Sequence, residues 1–408
     1  MPEAYIVGVS MTRFGRFLDR SVKMIASEAI DAALADAGIA RGEVGAIVFS
    51  NVVQGILEGQ HSIRGQVVAN SHGFSGTPVV NVENACASGT TALHLAATMV
   101  KAGEHEIVLA LGAEKMTHED KAVAFAAHRG GWDIHDDGAT FENLARLAPN
   151  PMADTGQRRT AMMDVYAALA RHHMVNYGTT QRQMAVIAAK NHTHSAHNEK
   201  SQYRDAMTVE EVMAAREISW PLTLPMCSPI SDGAAAAVVC SEQALRRLGR
   251  ERAILIRAAT LASGSQREAQ DLDNHIARRA ARQAYEMAGV GPGDIDVCEV
   301  HDASSFAELL HTENLGFCPR GEGGPFAESG ATTFGGRIPI NLSGGLISRG
   351  HPVGATGLAQ TYELVRQLRD EAGALQVDGA RLALAENGGG FIGYEEAAAC
   401  ITILERAG

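Results

Sequence analysis

Aromatic side chains are scarce, at 5% of 408 residues, while glycines number 43. That balance points to tight backbone approaches and many loops. Positive charge is also in deficit, with a formal net charge of -12 and no dense Lys/Arg stripe, which argues against binding a nucleic-acid backbone. No apolar run approaches the roughly 18 residues that a membrane span needs. Met1–Gly8 leads straight into an apolar stretch without the regions of a secretory leader, and the terminal Arg-Ala-Gly matches no retrieval tail. A soluble cytoplasmic protein without a membrane partner is the expectation. The six cysteines, at 86, 227, 240, 298, 318 and 400, form no CxxC pair and no Cys/His ligand spacing. Free thiols are therefore expected, with no disulfide framework, no metal and no permanently bound cofactor.

What is present is a well-buried globular composition, 46% hydrophobic and 20% charged, long enough for two or three domains. Val44–Asn51 and Glu106–Gly112 read as buried strands, and the 90–101 stretch before the second reads as a helix. Strands alternating with such helices argue for an α/β fold with parallel sheet. The chain also echoes itself. Residues 27–51 and 278–302 share an Ala-rich helix, an Ala-Gly-Ile/Val step, a Gly-containing loop and an apolar strand, so that Ala37 matches Ala288, Gly42 matches Gly293 and Asn51 matches Asp302. A second echo links the helix opened by Cys86-Ala-Ser-Gly to the one opened by Val353-Gly-Ala-Thr. Two duplicated α/β halves follow. Residues 117–232 break the pattern and read as an inserted, mainly helical lid. The expected division is 1–116 completed by 233–254, the insert at 117–232, and 255–408.

Cys86 stands where a strand ends and an apolar helix begins. A helix N-terminus lowers a thiol's pKa and offers N–H groups to an oxyanion, although a small buried Cys at a tight turn would look the same. His351, between Gly350 and Pro352 in a glycine-dense loop, suits a base beside a thiol; a turn histidine without a role is the alternative. His301-Asp302 follows an apolar strand, at the sheet end where open α/β folds place ligands. Glu386 precedes Gly388, Gly389 and Gly390. It reads equally as a general base with a burial-raised pKa or as an ion-paired carboxylate, and the glycines can offer N–H groups to an oxygen. His192, His194 and His197 have spacings that do not share one helical face, which disfavours a metal site. The run 246–252 reads as a solvated helix end.

Taken together, CASG at Cys86, SDGAAAA at Ser231–Ala237, HDA at His301, NLSGGLISRGHP and GHPVGATG around His351, and KNHTHSAHN at Lys190–Asn198 resemble the thiolase superfamily. Within it they are most similar to the sterol-carrier-protein-type (SCP-x-like) branch, without an appended sterol-carrier domain. The resemblance covers essentially the whole chain. It implies a thiolase fold, two duplicated α/β halves in α-β-α-β-α layers with an inserted loop domain over a coenzyme A site. It also implies a tight homodimer, with a tetramer as the alternative. By the same resemblance Cys86 matches the acylated nucleophile, His351 the histidine that activates it and helps bind the thioester oxygen, and His301 a member of the oxyanion hole; in the implied mechanism His351 also deprotonates CoA. The N–H groups of Cys86, Gly388 and Gly389 match the second oxyanion site, and Ser228 a contact of the pantetheine arm. One position departs: Glu386 stands where the family has Cys, or His in this branch, as the group that moves the α-carbon proton, and the following FIGYEE looks like an insertion. The implied reaction is cleavage of a 3-ketoacyl-CoA by CoA through an acyl-Cys86 intermediate, giving a shortened acyl-CoA plus acetyl-CoA or propionyl-CoA. The alternatives are a thiolase-like C- or O-acyltransferase, an aldolase-like enzyme, or a non-catalytic subunit working with a small partner protein.

Overall fold

The computed structural model describes residues 2–147 and 160–407. Most of the Pro-interrupted stretch of the insert lies outside the described residues. The strands are β1 Ala4–Met11, β2 Ala46–Ser50, β3 Val79–Val82, β4 Ile107–Glu114, β5 Glu217–Ser219, β6 Leu222–Thr223, β7 Gly233–Ser241, β8 Ile254–Ser263, β9 Val297–Glu299, β10 Leu382–Gly389 and β11 Ala398–Arg406.

Nine of them join in the order β3-β2-β4-β7-β1-β8-β11-β10-β9. Outward from the β1/β8 junction the two arms repeat one another. The first neighbours, β7 and β11, pair antiparallel on both sides, and the strands beyond, β2–β4 and β9–β10, pair parallel. Ile340 bridges Cys298 in parallel just where β3 flanks β2 on the other arm. Within the sheet, Tyr5 paired with Leu255 and Ile6 paired with Ile254 join the arms.

The sequence echo has a structural counterpart at each matched position. Helix Val22–Ala37 ends at Gly38 with φ 65°, and helix Ile276–Ala288 ends at Gly289 with φ 67°. A left-handed C-cap favours glycine, which carries no Cβ to clash. Gly42 and Gly293 each sit in a one-turn 3-10 helix, and Asn51 and Asp302 each lie just past the strand.

Five layers result. Helix Val22–Ala37 covers β1 and β7, and helix Ile276–Ala288 covers β8 and β11. Between the arms lie helices Ser88–Ala102 and Thr356–Leu368, which pack on each other and on strands of both arms. Their contact surface is built from Ala92, Leu93, Ala96, Leu358, Ala359 and Val365, all buried, and small residues let buried helices approach closely without voids.

The insert leaves and returns at one point. The buried Asp232 carboxylate accepts the N–H of Met116 (2.7 Å), Thr117 (2.8 Å) and Phe17 (2.8 Å). Its described part is mainly helical, with helices such as Ala161–Tyr177 and Gln181–Ser195 and the small β5–β6 pair. Arg246 is exposed at the end of its helix, as the sequence suggests, while Arg252 pairs with Asp36 and Glu371. Among the described residues no helix is long and apolar enough to cross a membrane.

Candidate active site

Cys86, His301, His351 and Glu386 converge from four segments. The Cys86 turn rests on β10: a Cβ added to Gly389 would lie 2.5 Å from the N of Ala87 and 2.9 Å from the N of Cys86, and would collide with the Asn84 carbonyl. Only glycine leaves that space. Gly388 serves a different neighbour, since its Cβ would stand 2.6 Å from Cγ of Glu396. Both are strand residues paired with Ala399 and Ala398. The N–H groups that face the sulfur are those of Cys86 itself and Gly390. Of the terminal glycines, it is Gly390, next to the expected donors Gly388 and Gly389, whose N–H faces the sulfur.

His351 Nε2 lies 3.2 Å from Cys86 Sγ. On the other side of the ring, Nδ1 is 2.7 Å from Thr356 Oγ1, and that hydroxyl donates its single proton to the Pro352 carbonyl at 3.0 Å. The hydroxyl can therefore only accept from the ring. Nδ1 carries the proton, and Nε2 presents its lone pair to the thiol. The His351 N–H is held by Ser231 Oγ at 2.9 Å.

The thiol itself departs from expectation. Its pKa is raised to about 12, not lowered, because burial dominates and the Glu114 charge adds to it, outweighing the two N–H groups. The sulfur is therefore protonated, and attack requires transfer of that proton to Nε2.

His301, 2% exposed, stands edge-on to His351 with ring centroids 5.2 Å apart. Neither of its ring nitrogens has a hydrogen-bond partner among the described residues. Burial, assisted by His311, pushes its pKa down to about 3, so it is a neutral imidazole with a donor available to a ligand oxygen. Glu386, fully buried in β10, accepts the His301 N–H on Oε2 at 2.9 Å. Its Oε1 has no partner among the described residues. Burial raises its pKa to about 7, with the nearby His311 pulling the other way. A carboxyl poised there can both give and take a proton.

Sequence reasoning missed several supports. Buried Glu114 at the end of β4 gathers Asn51 Nδ2 (2.8 Å) and the N–H groups of Val52 (2.9 Å), Val53 (3.1 Å) and Gly354 (3.0 Å), which ties the His351 loop to the first arm. Asp302 accepts the Leu346 N–H at 2.6 Å, and Lys190 of the KNHTHSAHN segment pairs with buried Glu308. His192 and His194 are occupied separately, by Pro225 O (3.2 Å) and Asn341 O (3.1 Å). Tyr166, on the helix Ala161–Tyr177, senses the charges of Glu396, Cys86 and Glu386. Glycine spacing and strand ends announce none of these.

Among the described residues the one group of donor atoms within metal-binding reach is Cys86, His301 and His351 themselves, all within 4.8 Å of one another. An ion there would occupy the thiol and the lone pair that accepts its proton. Ser228 lines a separate cavity of about 290 Å³ with Thr117, Tyr203, Phe125 and the cations Arg16, Lys121 and Arg216. Ile230 belongs both to that cavity and to the apolar cluster of Val53, Met116 and Val353 that packs against Cys86. The arrangement can support covalent acyl transfer, with a thiol against a ring nitrogen, N–H groups facing the sulfur, and a buried carboxyl accepting the His301 N–H.

Comparison with known proteins gives the same direction. The thiolase N-terminal domain matches residues 4–216, and the thiolase C-terminal domain-like family matches 258–406. An acetyl-CoA acetyltransferase of Methanothermobacter thermautotrophicus is 39% identical over 96% of this chain and 97% of its own length. Sterol carrier protein 2 of Homo sapiens is 39% identical over 94% of this chain and 69% of its own. The solved Ltp2-ChsH2(DUF35) aldolase superposes with a TM-score of 0.80 at 26% identity, covering 99% of this chain and 98% of that one.

Proposed function

The chain belongs to the thiolase family, in its sterol-carrier-protein-type branch, and from that premise we propose that it cleaves a 3-ketoacyl-CoA with CoA through an acyl-Cys86 intermediate. The observation that carries the proposal is the 3.2 Å contact between Cys86 Sγ and a His351 nitrogen that Thr356 keeps free of a proton. As the sulfur attacks the keto carbon, its proton passes to His351 Nε2. The carbon–carbon bond breaks, and the departing enolate, its oxygen held by His301, takes a proton from Glu386. In the second half His351 already holds the Cys86 proton, so Glu386, not His351 as the sequence reading has it, takes the thiol proton of CoA, while His351 returns its own to the leaving Cys86 sulfur. The N–H groups of Cys86 and Gly390 hold the oxyanion; one such donor is typically worth about 10²–10³ in rate.

The Ser228 cavity takes the CoA arm in this reading, with Arg16, Lys121 and Arg216 placed to meet its phosphates. Strand β3 ends the sheet with Val80 and Asn81 exposed, an edge suited to pairing with a second copy in a homodimer.

The likeness to an aldolase raises a second reading, aldol cleavage with a partner protein. The Cys86–His351 pair weighs against it, since aldol cleavage needs no acylated thiol. Product analysis separates the two. Incubation with 3-ketoacyl-CoAs and CoA is expected to give two acyl-CoA thioesters. A free aldehyde or ketone from a 3-hydroxyacyl-CoA, with 3-ketoacyl-CoAs untouched, would overturn the proposal.

A further inference from the structure

Behind Glu386 lies a buried cluster that the reaction as described does not use. His311, from helix Ser305–Asn314, is fully buried, with Nε2 3.4 Å from Glu396 Oε1 and 3.7 Å from Glu386 Oε2. Glu396 comes from the FIGYEE connection between β10 and β11, and the absence of a side chain at Gly388 leaves it room. Its other oxygen is 3.6 Å from His275 Nε2. His275 caps helix Ile276–Ala288: its Nδ1 accepts from the Ala277 N–H at 3.3 Å and faces Asn314 Nδ2 at 3.2 Å. That nitrogen is therefore bare, and His275 is a neutral ring whose Nε2 stands near Glu396 Oε2 beyond hydrogen-bond distance. The segment that looks like an insertion in the sequence thus carries a carboxylate into the interior.

We propose that His311 and Glu396 are positioning residues for Glu386, a buried ion pair whose balance of charge sets how tightly Glu386 holds the proton it moves. The proposal rests on the reading of Glu386 as the proton mover and deepens it. Two carboxylates share one imidazole here, away from water, where unbalanced charge is strongly disfavoured. With His311 protonated and Glu396 ionised, the cluster is neutral only when Glu386 carries its proton. Losing that proton leaves one net negative charge, partly compensated by the cation 3.7 Å away. The directions of titration agree: His311 is raised to about 9 by the two carboxylates despite its burial, Glu396 is held well below the usual range although burial opposes this, and His275 is pushed by burial to about 4. The other titratable groups in reach are Asp302 and His301 beside His311, Arg267 and Glu395 beside His275, and Cys298, Cys400 and Tyr166 toward Glu386.

The same balance predicts opposite effects for two substitutions. With His311→Gln the cation is gone, and Glu386 holds its proton to higher pH. With Glu396→Gln the neutral state becomes ionised Glu386 beside protonated His311, and Glu386 releases its proton at lower pH. The pH dependence of thiolysis kcat/KM is the first readout. The limb due to Glu386 is expected to move up in His311→Gln and down in Glu396→Gln, each by about one pH unit, a tenfold change in proton affinity. Iodoacetamide alkylation of Cys86 should stay near the wild-type rate, showing an assembled site. The second readout needs no variant: nitrogen-15 spectra of the histidine-labelled wild-type protein at pH 8 should contain one doubly protonated ring. Shifts of the same sign in both variants, no shift in either, or no doubly protonated histidine in the wild type would overturn the proposal. Glu386→Gln isolates the underlying reading. If the limb survives in that variant, Glu386 is not the proton mover, whatever the histidine spectrum shows.

Discussion

Thr356→Val removes a hydroxyl while keeping a β-branched side chain at the start of helix Thr356–Leu368. In the wild-type protein that hydroxyl is committed as a donor to Pro352 O at 3.0 Å, so it accepts from His351 Nδ1 at 2.7 Å. In the variant Nδ1 loses that acceptor, and the protonated Nδ1 form loses a buried hydrogen bond. The site is closed, since His351 is only 7% exposed. Losing such a buried hydrogen bond costs about 1–3 kcal/mol, which favours moving the ring proton to Nε2, the nitrogen that must receive the thiol proton. At 1.36 kcal/mol per factor of ten, acylation should slow by about 5- to 150-fold. Rapid-quench intact mass measures acyl-Cys86 formation directly, and Thr356→Ser should restore most of the rate. A Thr356→Val protein that acylates as fast as wild type would refute the tautomer reasoning.

Gly389→Ala places a Cβ 2.5 Å from the Ala87 N. It should lower stability by about 1–3 kcal/mol, read from the denaturation midpoint, and slow Cys86 alkylation. For Glu386 the folded pKa of about 7 lies above its ordinary 4.5, so the native state keeps a proton that the unfolded chain releases; stability is lost as pH rises from about 4.5 to 7 and stays lost above it. Glu386→Gln should therefore be more stable than wild type at pH 8, by up to about 3 kcal/mol, and nearly equal at pH 4, while losing thiolysis. Arg16→Ala, on the rim of the Ser228 cavity, should raise KM for CoA by roughly tenfold, the worth of one charge-assisted hydrogen bond, with kcat little changed and the difference shrinking at high salt.

The parts legible in the sequence are those whose signal is local. The Cys86 turn, the His351 loop, the strand ends before His301 and at Glu386, and the duplicated helix–loop–strand units each announce themselves within some twenty residues, through glycine placement and periodicity. What escaped depends on packing across the chain. Thr356 looks like any helix-start threonine until its two partners fix its single proton. Glu396 looks like surface charge until β10 and β11 fold it inward beside His311, 85 residues earlier in the sequence. The thiol departs from the sequence expectation for the same reason: the helix N-terminus is a neighbour in sequence, whereas the burial and the Glu114 charge that outweigh it are contributed by other elements. Gly390 rather than Gly388 or Gly389 faces the sulfur because only the folded turn reveals which glycines are consumed by close approach.

The most direct test of the central claim is intact-protein mass after incubation with a panel of 3-ketoacyl-CoAs, wild type beside Cys86→Ala. The account predicts a gain of one acyl group in the wild type, absent in the variant and discharged by free CoA. An equal gain in Cys86→Ala, or turnover to two thioesters with no acylation of Cys86, would contradict it.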